Sequence, residues 1–394
     1  MINPEDVRKE ITLLRENKIA YFDSATASLM PDFIIDKISE GYRHFAFPPN
    51  QGNNSLIRKS KIIIEETRES FEKFIGAEEQ TIFFAPNIMY GLSNILWSLI
   101  QNKKGRIIIS PLLHTSILGP IIKLSMINGN KIQIIQIDEN NRLDINYITS
   151  ILDKDVIAII TDDVSSIYGV QQPTKEIAQL SKEYNIPHIV DATKSIGHDH
   201  FSIKEKKVDI AIMEGNIGLM GPSVSMIHVS RENLENREPM LLGGGTIEKL
   251  SIEKLKPIRN ITKYEGDFID VAKIYGLKYA IEYIQKIGIE NIRIQELKII
   301  RKIRKILENY GLLIHSTEQS QNIISFSSET LGAHDIGMFL DEDEIYIRTG
   351  KICTYLAPIF RKISNVCQIS IHYYNTITDV KRLEDGLESL FTMI

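Results

Sequence analysis

The chain has 394 residues, 46 Lys and Arg against 51 Asp and Glu for a formal net charge of −5, and 43% hydrophobic residues. At roughly 150 residues per domain, this length predicts two or three domains and a core that needs no disulfide or metal staple. Two cysteines, Cys353 and Cys367, exclude a disulfide framework or a cysteine-rich zinc site and suit a reducing compartment. The mild acidity, with a pI near 6.0, lacks the basic footprint of a nucleic-acid binder.

Residues 1–18 carry mixed charges and no apolar core, so no secretory signal is read there and cytoplasmic residence is the expectation. The most apolar stretch, Ile107 to Ile122, is interrupted by Pro111, His114 and Pro120 and closed by Lys123. It is too short for a bilayer and reads as a buried strand running into a loop. Strands are predicted at Arg106–Ser110, Lys131–Ile137, Val156–Thr161, His188–Asp191, Val208–Met213 and Met226–Val229. Helical intervals between them signal an α/β domain with a mostly parallel sheet.

After about Leu250 a long helical stretch follows, with Val271, Ile274, Leu277, Ile281 and Ile284 at helical spacing. Strand-like runs return at Ile323–Phe326 and Ile345–Ile347, and Asp379–Phe391 reads as a closing helix. The expected organisation is a large α/β domain over residues 1–250, whose first segment packs on the smaller domain, and a smaller α+β domain over 251–394. The basic face around Lys298–Leu307 reads as a solvated helix face. No Gly-x-Ser-x-Gly elbow, Walker A motif or His-Glu-x-x-His is present. His198 and His200 in a predicted loop are a weak metal candidate, so no metal is expected.

Several segments, in order and across almost the whole chain, resemble the cysteine desulfurase and selenocysteine lyase branch of the class V aminotransferases. Tyr21-Phe-Asp-Ser-Ala-Thr26 is similar to the family's "YLDNAAT", and Val164-Ser-Ser-Ile-Tyr-Gly169 to "VSNVLG". Ile189-Val-Asp-Ala-Thr-Lys-Ser195 stands in place of "VDGAQS". Leu242-Gly-Gly-Gly245, Tyr264-Glu-Gly266, Arg348-Thr-Gly-Lys-Ile-Cys353 and Tyr374-Asn-Thr376 echo "GGG", "FEAG", "RTGxxC" and "YNT". The resemblance implies the type I fold of pyridoxal-phosphate (PLP)-dependent transferases, a dimer, and a lysine that forms a Schiff base with the cofactor.

At the family's "SGHK" position this chain reads Glu214-Gly-Asn216-Ile217. An alkyl side chain at 217 forms no imine, so no covalently bound cofactor is expected, and any PLP is held noncovalently. The resemblance marks further departures. Asn87-Ile-Met89-Tyr90 stands where small hydroxyl residues cradle the phosphate, and Glu214 replaces a serine there. Phe268 replaces a threonine lent by the second subunit, Gln368 an arginine that clamps the substrate carboxylate, and Ser166 an asparagine. Ile217, Met89 and Phe268 together point to an apolar collapse of the vacated pocket.

What remains at matching positions is Asp191 for the pyridine nitrogen, His114 for stacking on the ring, Arg348 for a carboxylate, and Cys353 as a sulfur-accepting thiol. Each also has a structural reading: a helix cap, a loop histidine, an ion-pair partner and an inert small hydrophobe. Cys367 reads as core.

The resemblance therefore implies a pseudoenzyme of sulfur metabolism, acting as a regulatory subunit or as a persulfide carrier through Cys353. It would pair with itself or with a related desulfurase and serve a sulfur-transfer or iron–sulfur assembly protein, with no nucleic acid or membrane partner. One alternative is an active PLP-dependent lyase, desulfurase or aminotransferase using another lysine, Lys194 or Lys351. Another is an interaction scaffold with no small-molecule site.

Overall fold

The computed structural model describes residues 2–49, 52–234, 237–266, 269–361 and 365–393. Ala20–Tyr21 forms β1, Ile82–Ala85 β2, Arg106–Ile109 β3, Lys131–Ile134 β4 and Val156–Asp162 β5. His188–Asp191 forms β6, Ile210–Glu214 β7 and Ser225–Val229 β8. The last seven make one sheet in the order β2-β8-β7-β6-β5-β3-β4, parallel except that β8 runs antiparallel to both neighbours. β5, β6, β7 and β8 are almost wholly buried, which explains their uninterrupted apolar reading: helices cover both faces. Helices Ile88–Ile100 and Thr115–Asn128 pack on one face, and Ser55–Ile75 and Val271–Ile287 contribute to the other.

The antiparallel pair β9 (Ile247–Leu250) and β10 (Leu255–Pro257) leads into the second half. There β11 (Leu313–Ile314), β12 (Ile323–Ser327), β14 (Arg348–Gly350) and β15 (Val366–Ser370) form an antiparallel sheet in the order β11-β12-β15-β14. The short strand β13 (Ile345–Tyr346) pairs in parallel with β1. Helices Ile289–Asn309, Ala333–Glu342 and Ile377–Thr392 back this part of the chain. Val271–Ile287, although beyond residue 250, lies against the helices Asp32–His44 and Ser55–Ile75.

One expectation is corrected. The apolar run after β3 does not continue as a loop, because a helix begins at Thr115 and runs to Asn128. His114 starts it by accepting the Ser116 amide at Nδ1. Pro120 lies inside this helix, a position that sequence reasoning treats as a breaker. Cys367 is fully buried within β15.

Candidate active site

In the large sheet the chain places β4 to one side of β3 and β5 to the other, so the strand order switches direction between β3 and β5. Loops leaving the carboxyl ends of parallel strands diverge at such a point and leave a crevice. Ser110, Asp162, Asp191 and Glu214 all stand at that edge. Parallel pairing puts Asp162 directly beside Asp191, and Asp162 Oδ1 accepts from Ser110 Oγ at 2.7 Å. Burial drives the Asp162 carboxyl up to about 7, with the Asp191 charge adding to the effect. Asp191 is raised by burial too, against the Thr193 amide, which donates to its Oδ1 at 3.0 Å.

Lys194 follows on the loop after β6 and is only 7% exposed. Its Nζ donates to the carbonyl of Ala25, in the turn after β1. Burial lowers this amine to about 8; Asp191 and Asp23 oppose the shift and Arg348 reinforces it. Arg348, at the start of β14, donates from Nη1 to Thr26 Oγ1 at 2.8 Å and from Nη2 to Cys353 Sγ at 2.9 Å. The two cations are thus held by consecutive residues of one turn. Asp23 in the same turn is raised by burial, although Thr26, Arg348 and Lys194 all favour its charge.

Cys353 is half-buried and free. Ile352 and Cys353 both have left-handed backbones, at φ 52° and 48°. For a β-branched residue this is rare, and such positions cost about 1–3 kcal/mol each. The Cys353 carbonyl accepts the Thr115 amide at 2.8 Å, which ties the loop to the helix that His114 caps. Burial first, then the charges of Lys194 and Arg348, hold His114 down at about 4, so the ring is neutral at pH 7.

The departed positions are mostly occupied with their own neighbours. Glu214 accepts from Ser223 Oγ at 3.0 Å and from Ser225 Oγ, and burial raises its carboxyl. Asn87 spends its side-chain oxygen on the Tyr90 amide at 2.9 Å. Gln368 and Ser166 come together in the interior, where Gln368 Nε2 donates to the Ser166 carbonyl at 3.0 Å. The Asn216 carbonyl accepts the Ser28 amide at 2.9 Å. Ile217 is 8% exposed but Met89 is 52% exposed, so these two do not close into an apolar plug within one chain. Phe268 lies outside the described residues.

His198 and His200 do not converge. His198 is buried against Glu296 at 2.9 Å, whereas His200 is exposed beside Glu205. His198, Glu296 and His372 do cluster. However, His372 uses Nε2 on the Gly218 carbonyl at 3.0 Å and Nδ1 on the Tyr373 amide at 2.8 Å, which leaves it no lone pair for a metal. Sequence reasoning missed Asp162, although an Asp-Asp pair closing a buried strand was a visible signal.

A mixed seven-stranded sheet carrying its site at the switch point, backed by a small antiparallel sheet, is the type I fold of PLP-dependent transferases. The chain belongs to the class-V aminotransferase family, whose description matches residues 20–383. It is 30% identical over 393 residues, 98% of this chain and 97% of the other, to a probable cysteine desulfurase of Pyrococcus abyssi. The apo cysteine desulfurase of Thermococcus onnurineus NA1 superposes with a TM-score of 0.93 at 27% identity, covering 100% of this chain and 99% of that one. The S-sulfonic acid form of the cysteine desulfurase CsdA from Escherichia coli shares the fold, with a TM-score of 0.91 at 18% identity and 100% coverage of both chains. Among the described residues no helix is long and apolar enough to cross a membrane.

The family is PLP-dependent, but the side chains here match that cofactor poorly at its phosphate end. Asn87 already caps the helix Ile88–Ile100, and the Glu214 carboxyl takes up two serine hydroxyls. Asp191, which the family resemblance sets at the pyridine end, is buried, and burial raises its carboxyl.

Proposed function

We propose that this chain is a cysteine desulfurase-like protein that forms no cofactor imine at position 217 and carries sulfur as a persulfide on Cys353. The supporting observation is the Arg348 guanidinium at 2.9 Å from Cys353 Sγ, within a half-buried loop held in a left-handed conformation. A guanidinium at that distance stabilises an anionic sulfur, whether thiolate or persulfide. The Cys353 thiolate attacks the outer sulfur of a donor persulfide. A new Sγ–S bond forms as the donor's S–S bond breaks, and the donor leaves as its thiolate, so no external oxidant is needed. On this reading the chain works as a homodimer, or paired with an active relative, and delivers sulfur to a transfer or iron–sulfur assembly protein.

Purified protein given cysteine persulfide should gain cyanide-labile sulfur on Cys353, and Cys353→Ser should gain none. Given PLP and cysteine, it should release no sulfide. Sulfur absent from Cys353, or sulfide release dependent on PLP, overturns the proposal.

A second reading, a PLP-dependent enzyme using a displaced lysine, is favoured for Lys194 by its burial within the site. Lys351 fits it less well, because its Nζ sits 5.0 Å from the Tyr355 ring centroid. Borohydride trapping of the cofactor on Lys194 would establish that reading in place of the first.

A further inference from the structure

We propose that Lys194 and Arg348 form a binding site for a small, unphosphorylated 2-oxo acid, with Lys194 capturing the ketone as an imine and Arg348 pairing the carboxylate. The inference goes beyond the sulfur-carrier reading and does not depend on it.

Four observations carry it. Lys194 is 7% exposed, Arg348, Cys353 and Asp23 are half-buried and Thr26 is exposed, so the cluster grades from a buried amine to a solvent-exposed hydroxyl. The amine gives one hydrogen to the Ala25 carbonyl, and Arg348 gives one to Thr26 Oγ1. Adjacent residues of one turn thus anchor the two cations, one able to attack a carbonyl and the other to pair a carboxylate. Arg348 spends only part of its five-donor fork on Thr26 and Cys353, which leaves N–H groups for a carboxylate. Finally, Asp23, Asp191 and Glu214 all act electrostatically on this amine, which opposes a dianionic phosphate more strongly than a ligand with one negative charge.

The chemistry balances. The neutral amine donates its lone pair to the carbonyl carbon to give a carbinolamine. Loss of water, with the amine's protons passing to the departing oxygen, leaves C=N with no change of oxidation state. Burial keeps a usable share of this amine unprotonated, at about 8 against an ordinary 10.5. At pH 7 that share exceeds a surface lysine's by on the order of a hundredfold.

The test is full-length protein incubated with pyruvate and sodium cyanoborohydride, without PLP or a sulfur donor, followed by peptide mapping. One adduct on Lys194 is expected, forming on the order of a hundred times faster than on surface lysines. Lys194→Arg, which keeps the charge, should abolish it. Arg348→Gln should slow pyruvate capture at least about tenfold more than capture of uncharged acetaldehyde, the extra loss expected for a charge-assisted pair, because acetaldehyde reads only the change in the amine's own charge state. Adducts spread evenly over surface lysines overturn the proposal, as does equal loss for both carbonyl compounds in Arg348→Gln. Capture of pyridoxal phosphate but not pyruvate also overturns it. Because no sulfur donor is present, failure here is distinct from failure of persulfide loading.

Discussion

Arg348 touches Cys353 through Nη2 while its Nη1 holds Thr26, so one guanidinium joins the sulfur-bearing loop to the turn after β1. The strained backbone at Ile352 and Cys353 persists because neighbours fix both ends of the loop. Removing the guanidinium therefore unties the loop from the turn. A hydrogen bond contributes about 0.5–1.5 kcal/mol, and Arg348→Gln, which loses both contacts, is expected to destabilise the protein by about 1–3 kcal/mol. An unchanged urea midpoint would show that the two contacts do not hold the loop.

The pH dependence of stability should carry the mark of Asp162. Its folded value of about 7 lies above its ordinary 3.8, so the native state holds the proton more tightly than the unfolded chain. The group is neutral toward stability below about pH 4, and stability is lost as pH rises toward 7. Asp162→Asn should remove this decline. Urea midpoints of the two proteins, compared at pH 5 and pH 7, should diverge at the higher pH in favour of the variant.

Arg68 and Glu265 form an ion pair at 2.8 Å with side-chain exposures of 0% and 3%. Arg68→Met leaves the acid buried without its partner and should cost about 3–5 kcal/mol. Adding Glu265→Gln should recover much of that loss. Denaturant titration of both variants checks the coupling; equal stability of the single and double variants would contradict it.

Just past Ile217, Gly218 packs so tightly that a Cβ there would overlap the Ile196 carbonyl oxygen. Gly197, at φ 82°, meets the same segment from the other side. Gly218→Ala is therefore expected to destabilise by several kcal/mol, with a visibly lowered melting temperature. A melting curve matching the parent protein would show that the segment around Ile217 can yield.

Much of the fold was legible because buried parallel strands require apolar, β-branched runs. His188–Asp191 emerged with its predicted bounds, and the closing helix came within a few residues of them. β2 was not anticipated, because four residues of Ile-Phe-Phe-Ala carry no period that separates strand from helix. The helix at Thr115 was missed because Pro120 masked it and because its cap is a histidine rather than a serine or aspartate.

The sequence by itself determined which chemistry-bearing residues exist: two cysteines, an arginine five positions before Cys353, and isoleucine at 217 where the family resemblance asks for lysine. Only the tertiary structure decided what surrounds them. Lys194 reaches Ala25 across 169 residues, Arg348 reaches Thr26 across 322, and Asp162 meets Asp191 through strand register. The reason is electrostatic: a side chain's charge depends on its solvation and on the charges beside it, and folding sets both by bringing distant segments together.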